Sequence, residues 1–167
     1  MSPSRRPRWD AVRALVTDVD GVLTDGGLYY AESGDELKRF DVRDGQGLVL
    51  LREAGLLTAI VTRKQTTIVT RRARDLGIAE VHQNVTDKAA ALTALCARHG
   101  LAPAAVCYVG DDVGDLPAMR LAGVPVAVAD AVREVRRAAA YVTRAGGGRG
   151  AVREVCDLIR AARRRRA

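Results

Sequence analysis

Short apolar runs rich in β-branched residues alternate along this chain with stretches of helical spacing, and this alternation restricts its fold more than any other feature. Strands are predicted at 14–17, 57–62, 80–82, 106–109, 124–128 and 141–143, with helices at 45–54, 66–76, 88–98, 116–122, 131–138 and 151–162. Parallel neighbours need long crossovers, and several connections hold a helix of about ten residues or more. The pattern predicts an α/β fold, a doubly wound parallel sheet of Rossmann-like type. One segment departs from it. Residues 27–31 and 36–40 flank the turn Glu32-Ser33-Gly34-Asp35 and predict a β-hairpin flap inserted after the first strand. An isolated hairpin is marginal in water, so this one is expected to lean on the body or on another subunit.

At 167 residues the chain has the length of one domain, 1–167, and its 48% hydrophobic content supplies a core that a disordered chain lacks. Apolar runs such as 54–61 fall far short of the about 20 residues that span a bilayer, and no signal-peptide pattern opens the sequence. Cys96, Cys107 and Cys156 are odd in number and widely spaced, which predicts reduced core cysteines and a cytoplasmic protein without membrane partners. His82 and His99 lack a partner at metal-ligand spacing and read as structural. The net charge of +7 suggests nucleic acid until it is located. Arg5, Arg6, Arg8, Arg160 and the run from Arg163 to Arg166 account for it, leaving a near-neutral body. Residues 1–9 and 160–167 are therefore expected to be flexible basic tails. An aromatic content of 4% also argues against stacking on nucleic acid, so none is expected as a partner.

Ligands of open α/β sheets gather beyond the carboxyl ends of the strands, so the polar residues following each apolar run are the functional candidates. After the first run comes Asp18-Val19-Asp20-Gly21-Val22-Leu23-Thr24-Asp25-Gly26, and the second ends in Thr62. Asp87-Lys88 opens a later helix, and Gly110-Asp111-Asp112-Val113-Gly114-Asp115 follows the fourth run. Clustered carboxylates repel by about 1 kcal/mol per pair at 4 Å in water, and by more in a dry site. A hard cation relieves this, and Mg2+ suits a few carboxylates completed by water and phosphate oxygens. If the strand unwinds after Asp18, that residue and Asp20 face one cleft, and Gly21 and Gly26 permit the tight backbone required. One carboxylate can then attack phosphorus while the other gives and takes a proton. Lys88 and Thr62 would bind phosphoryl oxygens. The pattern predicts metal-assisted phosphoryl chemistry.

Taken singly, each signal has a plain structural explanation: strand-end caps for Asp18 and Asp20, a strand residue for Thr62, a surface lysine for Lys88, a capped turn for 110–115. Their order and spacing together resemble the four motifs of the haloacid dehalogenase-like phosphatase superfamily. Further stretches narrow the likeness: the hairpin, Lys38-Arg39-Phe40, Asp44-Gly45, Gln83, Asp111-Asp112-Val113-Gly114-Asp115-Leu116-Pro117, Val126 to Asp130 and Gly147-Gly148-Arg149-Gly150-Ala151-Val152. From 11 to 159 the chain is similar to the small capless branch of 3-deoxy-D-manno-octulosonate (KDO) 8-phosphate and nonulosonate (sialate, KDN) 9-phosphate phosphatases.

That resemblance implies Asp18 as the nucleophile that becomes an aspartyl phosphate and Asp20 as general acid/base. It implies Mg2+ held by Asp18, the backbone carbonyl of Asp20 and Asp111, with Asp112 or Asp115 in support. It implies Thr62, Lys88 and Arg149 as substrate-binding residues for an acidic sugar phosphate, with Lys64 at the position that discriminates substrates and Arg63 as a further basic candidate beside the phosphate site, and a homotetramer built through the 27–40 hairpin. The 41 residues between Asp20 and Thr62 and the 25 between Thr62 and Lys88 leave no room for a cap domain. The family commonly places glycine after the threonine, followed by Arg or Glu; here the stretch is Thr62-Arg63-Lys64-Gln65. A basic pair there suits a substrate with both carboxylate and phosphate. Two other classes share features with this sequence: an idle partner module of a sugar cytidylyltransferase, and a receiver-type signalling domain. In a receiver the third strand ends in the phospho-accepting aspartate, whereas this one ends in His82-Gln83-Asn84.

Overall fold

The computed structural model describes residues 7–165. The chain enters through a single helical turn at Trp9–Ala11 and forms β1 (Ala14–Thr17), β2 (Tyr29–Tyr30), β3 (Glu36–Leu37), α1 (Val42–Glu53), β4 (Leu57–Val61), α2 (Thr67–Leu76) and β5 (Glu80–His82). There follow α3 (Lys88–Arg98), β6 (Val106–Gly110), α4 (Leu116–Leu121), β7 (Val124–Ala127), α5 (Arg133–Ala138), β8 (Tyr141–Val142) and α6 (Ala151–Arg164). Six strands make one parallel sheet in the order β5-β4-β1-β6-β7-β8, and β2 and β3 pair separately as an antiparallel hairpin.

The order of strands fixes where function can sit. From β1 the chain steps outward through β4 to β5, then α3 carries it back across to β6 on the other side of β1. The direction reverses at β1, and the crevice beyond its carboxyl end is the switch point at which such sheets bind ligands. α2 and α6 pack beside α1, and α3 and α5 beside α4, so both faces of the sheet are covered. Consequently β1 and β6 are buried at every residue, and their sequences are apolar rather than alternating. Leu15, Leu48, Leu51, Ile60, Leu92, Leu95, Met119 and Ile159 fill the core.

Local chemistry sets the helix limits. Asp41, Thr66 and Asp87 cap α1, α2 and α3 by accepting from the amides of Arg43, Ile68 and Ala90, and α2 stops at the left-handed Gly77. The expected helix at 45–54 thus starts earlier, at Val42, because Asp41 is its cap. The interior Gly47 is kept because a Cβ there would stand 3.1 Å from Cys156 Sγ on α6. The hairpin is shorter than expected, with two residues in each strand.

The expected basic tails are corrected in part. α6 continues to Arg164, so Arg160, Arg163 and Arg164 are helical, and Arg163 donates to the Val12 carbonyl at 3.3 Å. Trp9 meets Tyr141 edge-on, with ring centroids 5.4 Å apart. Arg5, Arg6 and Arg166 lie outside the described residues. The three cysteines are buried and free. No helix among the described residues is long and apolar enough to cross a membrane.

Both histidines serve the edge strand. Glu80 accepts from His99 Nε2 at 2.8 Å, His82 Nε2 at 2.7 Å and Arg98 at 2.8 Å, tying β5 to the end of α3. These three donors, His99 foremost, hold the Glu80 carboxyl down at about 2. A carboxyl with a depressed folded pKa contributes stability above its ordinary value and loses it as pH falls toward the folded value. Glu80→Gln is therefore expected to lower stability by about 1 kcal/mol at pH 6, the difference fading between about pH 4.5 and 2, as read by urea unfolding. An undiminished difference at pH 2 would show that Glu80 acts by packing instead.

Candidate active site

The site begins where β1 ends. Asp18 still follows the ladder, its amide donating to the Val109 carbonyl at 3.1 Å. The next residues then coil around a single acceptor: the amides of Val22, Leu23 and Thr24 all donate to the Val19 carbonyl, at 3.1, 2.9 and 3.0 Å. The Thr24 hydroxyl closes the turn by accepting from Gly21 at 3.3 Å and Gly26 at 3.2 Å. Buried Val19, Val22 and Leu23 anchor it to the core. Gly21 has φ +81°, and a Cβ there would stand 2.0 Å from Asp111 Oδ2. The glycine both makes the turn and admits the second acidic loop.

That second loop is organised by Asp115, which is fully buried. Its Oδ1 accepts from Lys88 Nζ at 2.7 Å and from the buried Tyr108 hydroxyl at 2.9 Å. Its Oδ2 accepts from the amides of Asp111 at 3.0 Å and Asp112 at 3.3 Å. Lys88, the first residue of α3, is also buried and donates to Asp18 Oδ2 at 2.6 Å. Asp18 Oδ1 accepts from the Val19 amide at 2.7 Å. Burial works against the Lys88 charge, but Asp18 and Asp115 outweigh it and hold the ammonium above its usual range.

The other carboxyls are left in excess. Burial first, and the charge of Asp115 second, push Asp18 up to about 6. The same two causes in the same order, with Asp18 and Asp112 adding, push Asp111 up to about 8. Asp111 Oδ1 is buried with no hydrogen-bond partner, and carboxylate oxygens of Asp18, Asp111 and Asp115 lie within 4.8 Å of one another. With both Asp115 oxygens fully engaged, Asp18 and Asp111 are the donors left to a cation. The site therefore fits a hard divalent ion, and Asp115 stands behind it as support.

A cavity of about 330 Å3 opens over this floor. Asp18, Asp20, Thr62, Arg63, Lys64, Lys88 and Asp111 all line it, together with Asp112 and Asp115. Thr62 is buried, while Arg63 and Lys64 are exposed. Asp20 turns its carboxylate toward the hairpin and accepts from Lys38 Nζ at 2.6 Å. Arg149 is not brought to the cavity: its charge acts on Asp25 and Tyr29 at the base of the hairpin, and its carbonyl accepts from Arg43 at 3.3 Å. Two residues outside the predicted set belong to the site, Tyr108 and Lys38. Lys38 also stands 3.1 Å from Glu36, which in turn lies 3.6 Å from Lys64. One signal could have found it: the chain has only three lysines, and all three converge here.

A doubly wound sheet with an aspartate-tipped turn at its switch point, a buried lysine beside it and a second acidic loop defines an aspartate-centred, metal-fitting hydrolase. The description haloacid dehalogenase-like hydrolase belongs to the family model that matches residues 56–152. The 3-deoxy-D-manno-octulosonate 8-phosphate phosphatase of Salmonella typhimurium is 43% identical over 159 residues, 95% of this chain and 85% of that protein. The crystal structure of the same phosphatase from Yersinia pestis matches with a TM-score of 0.92 at 45% identity, covering 94% of this chain and 85% of that one. The Moraxella catarrhalis phosphatase, solved with magnesium ion, phosphate ion and KDO, matches with a TM-score of 0.92 at 39% identity, covering 94% and 90%. The chain belongs to the haloacid dehalogenase-like hydrolase family, and it is a phosphatase.

The crowded carboxyls have a measurable cost. In metal-free protein Asp111 keeps its proton up to about 8, whereas unfolded it ionises near 3.8. The folded state thus holds the extra proton between those values, so stability falls as pH rises through that window and levels off above it. Asp111→Asn is expected to raise the unfolding temperature in EDTA at pH 8 by several degrees and to leave it unchanged at pH 4. Added Mg2+ should raise the parent's midpoint but not the variant's. Differential scanning fluorimetry reads both, and a variant less stable than its parent in EDTA at pH 8 contradicts the account.

Proposed function

We propose that the protein hydrolyses an acidic sugar phosphate, 3-deoxy-D-manno-octulosonate 8-phosphate in the first place and a nonulosonate 9-phosphate as the second candidate. The observation that carries this is the Asp18 carboxylate clamped by Lys88 on the cavity floor, beside the unpartnered Asp111 oxygen. Asp18 attacks phosphorus, and the P–O bond to the sugar breaks as Asp20 delivers a proton to the leaving oxygen. Asp20 then takes a proton from the water that attacks the aspartyl phosphate, which frees Asp18 and releases phosphate. Lys88 and the Thr62 hydroxyl bind the phosphoryl oxygens as charge shifts onto them. Mg2+, which the Moraxella phosphatase holds, would be bound by Asp18, Asp111 and the Asp20 carbonyl, and supplies charge neutralisation.

Arg63 and Lys64 offer two exposed cations for the sugar's carboxylate. On this reading the specificity contacts come from the loop after β4. Arg149, outside the cavity, is not assigned a contact in its own site. Four apolar side chains of the hairpin stay exposed, namely Leu28, Tyr29, Tyr30 and Leu37. They support a homotetramer in which hairpins pack together and exclude water from the reaction in place of a cap. The buried free cysteines suit the cytoplasm.

With Mg2+, purified protein is expected to release phosphate from the octulosonate and nonulosonate phosphates with kcat/KM well above that for glucose 6-phosphate. Asp18→Asn should bring turnover to background while the circular dichroism spectrum is retained. No release from any of the three by the parent would favour an idle partner module. Deleting residues 27–40 should lower the mass seen by light scattering, and an unchanged mass refutes assembly through the hairpin.

A further inference from the structure

We propose that the glycine loop 144–150, between β8 and α6, is a brace that positions the catalytic turn at 18–24. The proposal rests on Asp18 and Asp20 as the reacting carboxyls and adds a second tier of residues behind them. The loop lies directly against the turn's backbone. Gly148 donates to the Val22 carbonyl at 2.9 Å. A Cβ on Gly147 would stand 1.8 Å from the Gly21 carbonyl oxygen, and one on Gly148 would stand 2.4 Å from the Thr24 carbonyl carbon. The amides of Val22, Leu23 and Thr24 are spent on the Val19 carbonyl and that of Gly21 on the Thr24 hydroxyl, so the turn closes on itself and the Gly148 contact holds it from outside.

The brace is itself held by three carboxylates drawn from separate parts of the fold. Asp130, just past β7, accepts from the Gly147 amide at 2.9 Å. Glu154, inside α6, accepts from Arg144 at 3.0 Å and Ala145 at 3.4 Å. Asp44, on α1, accepts from Gly150 at 3.2 Å and Arg153 at 2.8 Å. Gly150 has no side chain with which to cap α6, and Asp44 does so from a neighbouring helix. A loop needed only to join a strand to a helix requires none of this. The chain of contacts ends on Gly21, whose backbone adjoins Asp20 and admits Asp111. Asp130 and Gly147 are thus positioning residues, acting through the turn.

Gly147 gives a direct probe. It is not among the positive-φ glycines, so a new Cβ there meets the turn itself, the Gly21 carbonyl first and then the Thr24 carbonyl oxygen at 3.0 Å. In Gly147→Ala and in Asp130→Ala, kcat for the sugar phosphate is expected to fall by about 10- to 100-fold with KM changed little, since a displacement of the reacting groups by about 1 Å has effects of that order. Asp130→Asn keeps an acceptor for the Gly147 amide and should restore most of the rate. Amide hydrogen exchange in peptides covering 18–26 should quicken in both alanine variants, with or without turnover. Folded variants with parental kcat and parental exchange overturn the brace, and so does a lowered unfolding temperature without change in either. If Gly147→Ala does not fold, the Asp130 pair decides. If the parent itself shows no turnover, the assignment of function fails and exchange still judges the brace.

Discussion

The ammonium of Lys88, enclosed between Asp18 and Asp115, is the interaction on which the rest of the site depends. Two carboxylates and one ammonium are buried together, an arrangement that water alone does not stabilise and that holds only when every partner is satisfied. Asp115 meets this condition with four donors and Asp18 with two. Asp111 does not, and its unsatisfied oxygen is the point at which the structure asks for a cation. The acidic surplus left after the Lys88 pairings is thus part of how the protein works, retained at the expense of stability.

The fold delivers these groups by its winding. β1, β4 and β6 are adjacent, and their carboxyl ends carry Asp18, Thr62 and Asp111. α3 is the crossover that returns the chain past β1, and its first residue is Lys88. Residues separated by 70 positions, Asp18 and Lys88, therefore meet within hydrogen-bond distance because the sheet reverses direction between them. No loop has to reach.

What was legible in the sequence follows the same line. Asp18, Thr62 and Asp111 each terminate an apolar run, and an apolar run in a parallel sheet points its end at the crevice, so their convergence could be read without coordinates. α3 was read at its true limits because Asp87 caps it and the apolar spacing runs unbroken to Arg98. For Lys38 the scarcity of lysine was the one signal: it belongs to the hairpin, and which side of the hairpin faces Asp20 depends on tertiary packing. The place of Arg149, outside the chain's own cavity, was not readable. A glycine-rich stretch carries no apolar spacing, so nothing in it foretells that the amides of Gly147 and Gly150 are bound to Asp130 and Asp44 and that of Arg144, just upstream, to Glu154. The arginines from 160 onward looked like a tail because charge hides the spacing of Val152, Val155, Cys156 and Ile159, which carries α6 on into them.

The scarcity of lysine in an arginine-rich chain has a chemical consequence. Lys38 and Lys88 have side chains 1% and 3% exposed, both engaged with carboxylates, whereas the Lys64 side chain is 44% exposed at the mouth of the cavity. Guanidinium groups are inert toward mild acylating agents. Such a reagent therefore finds one open ε-amine among the lysines, and it is the one that stands at the entrance to the reaction, where a reporter group can be attached without engineering the rest of the surface.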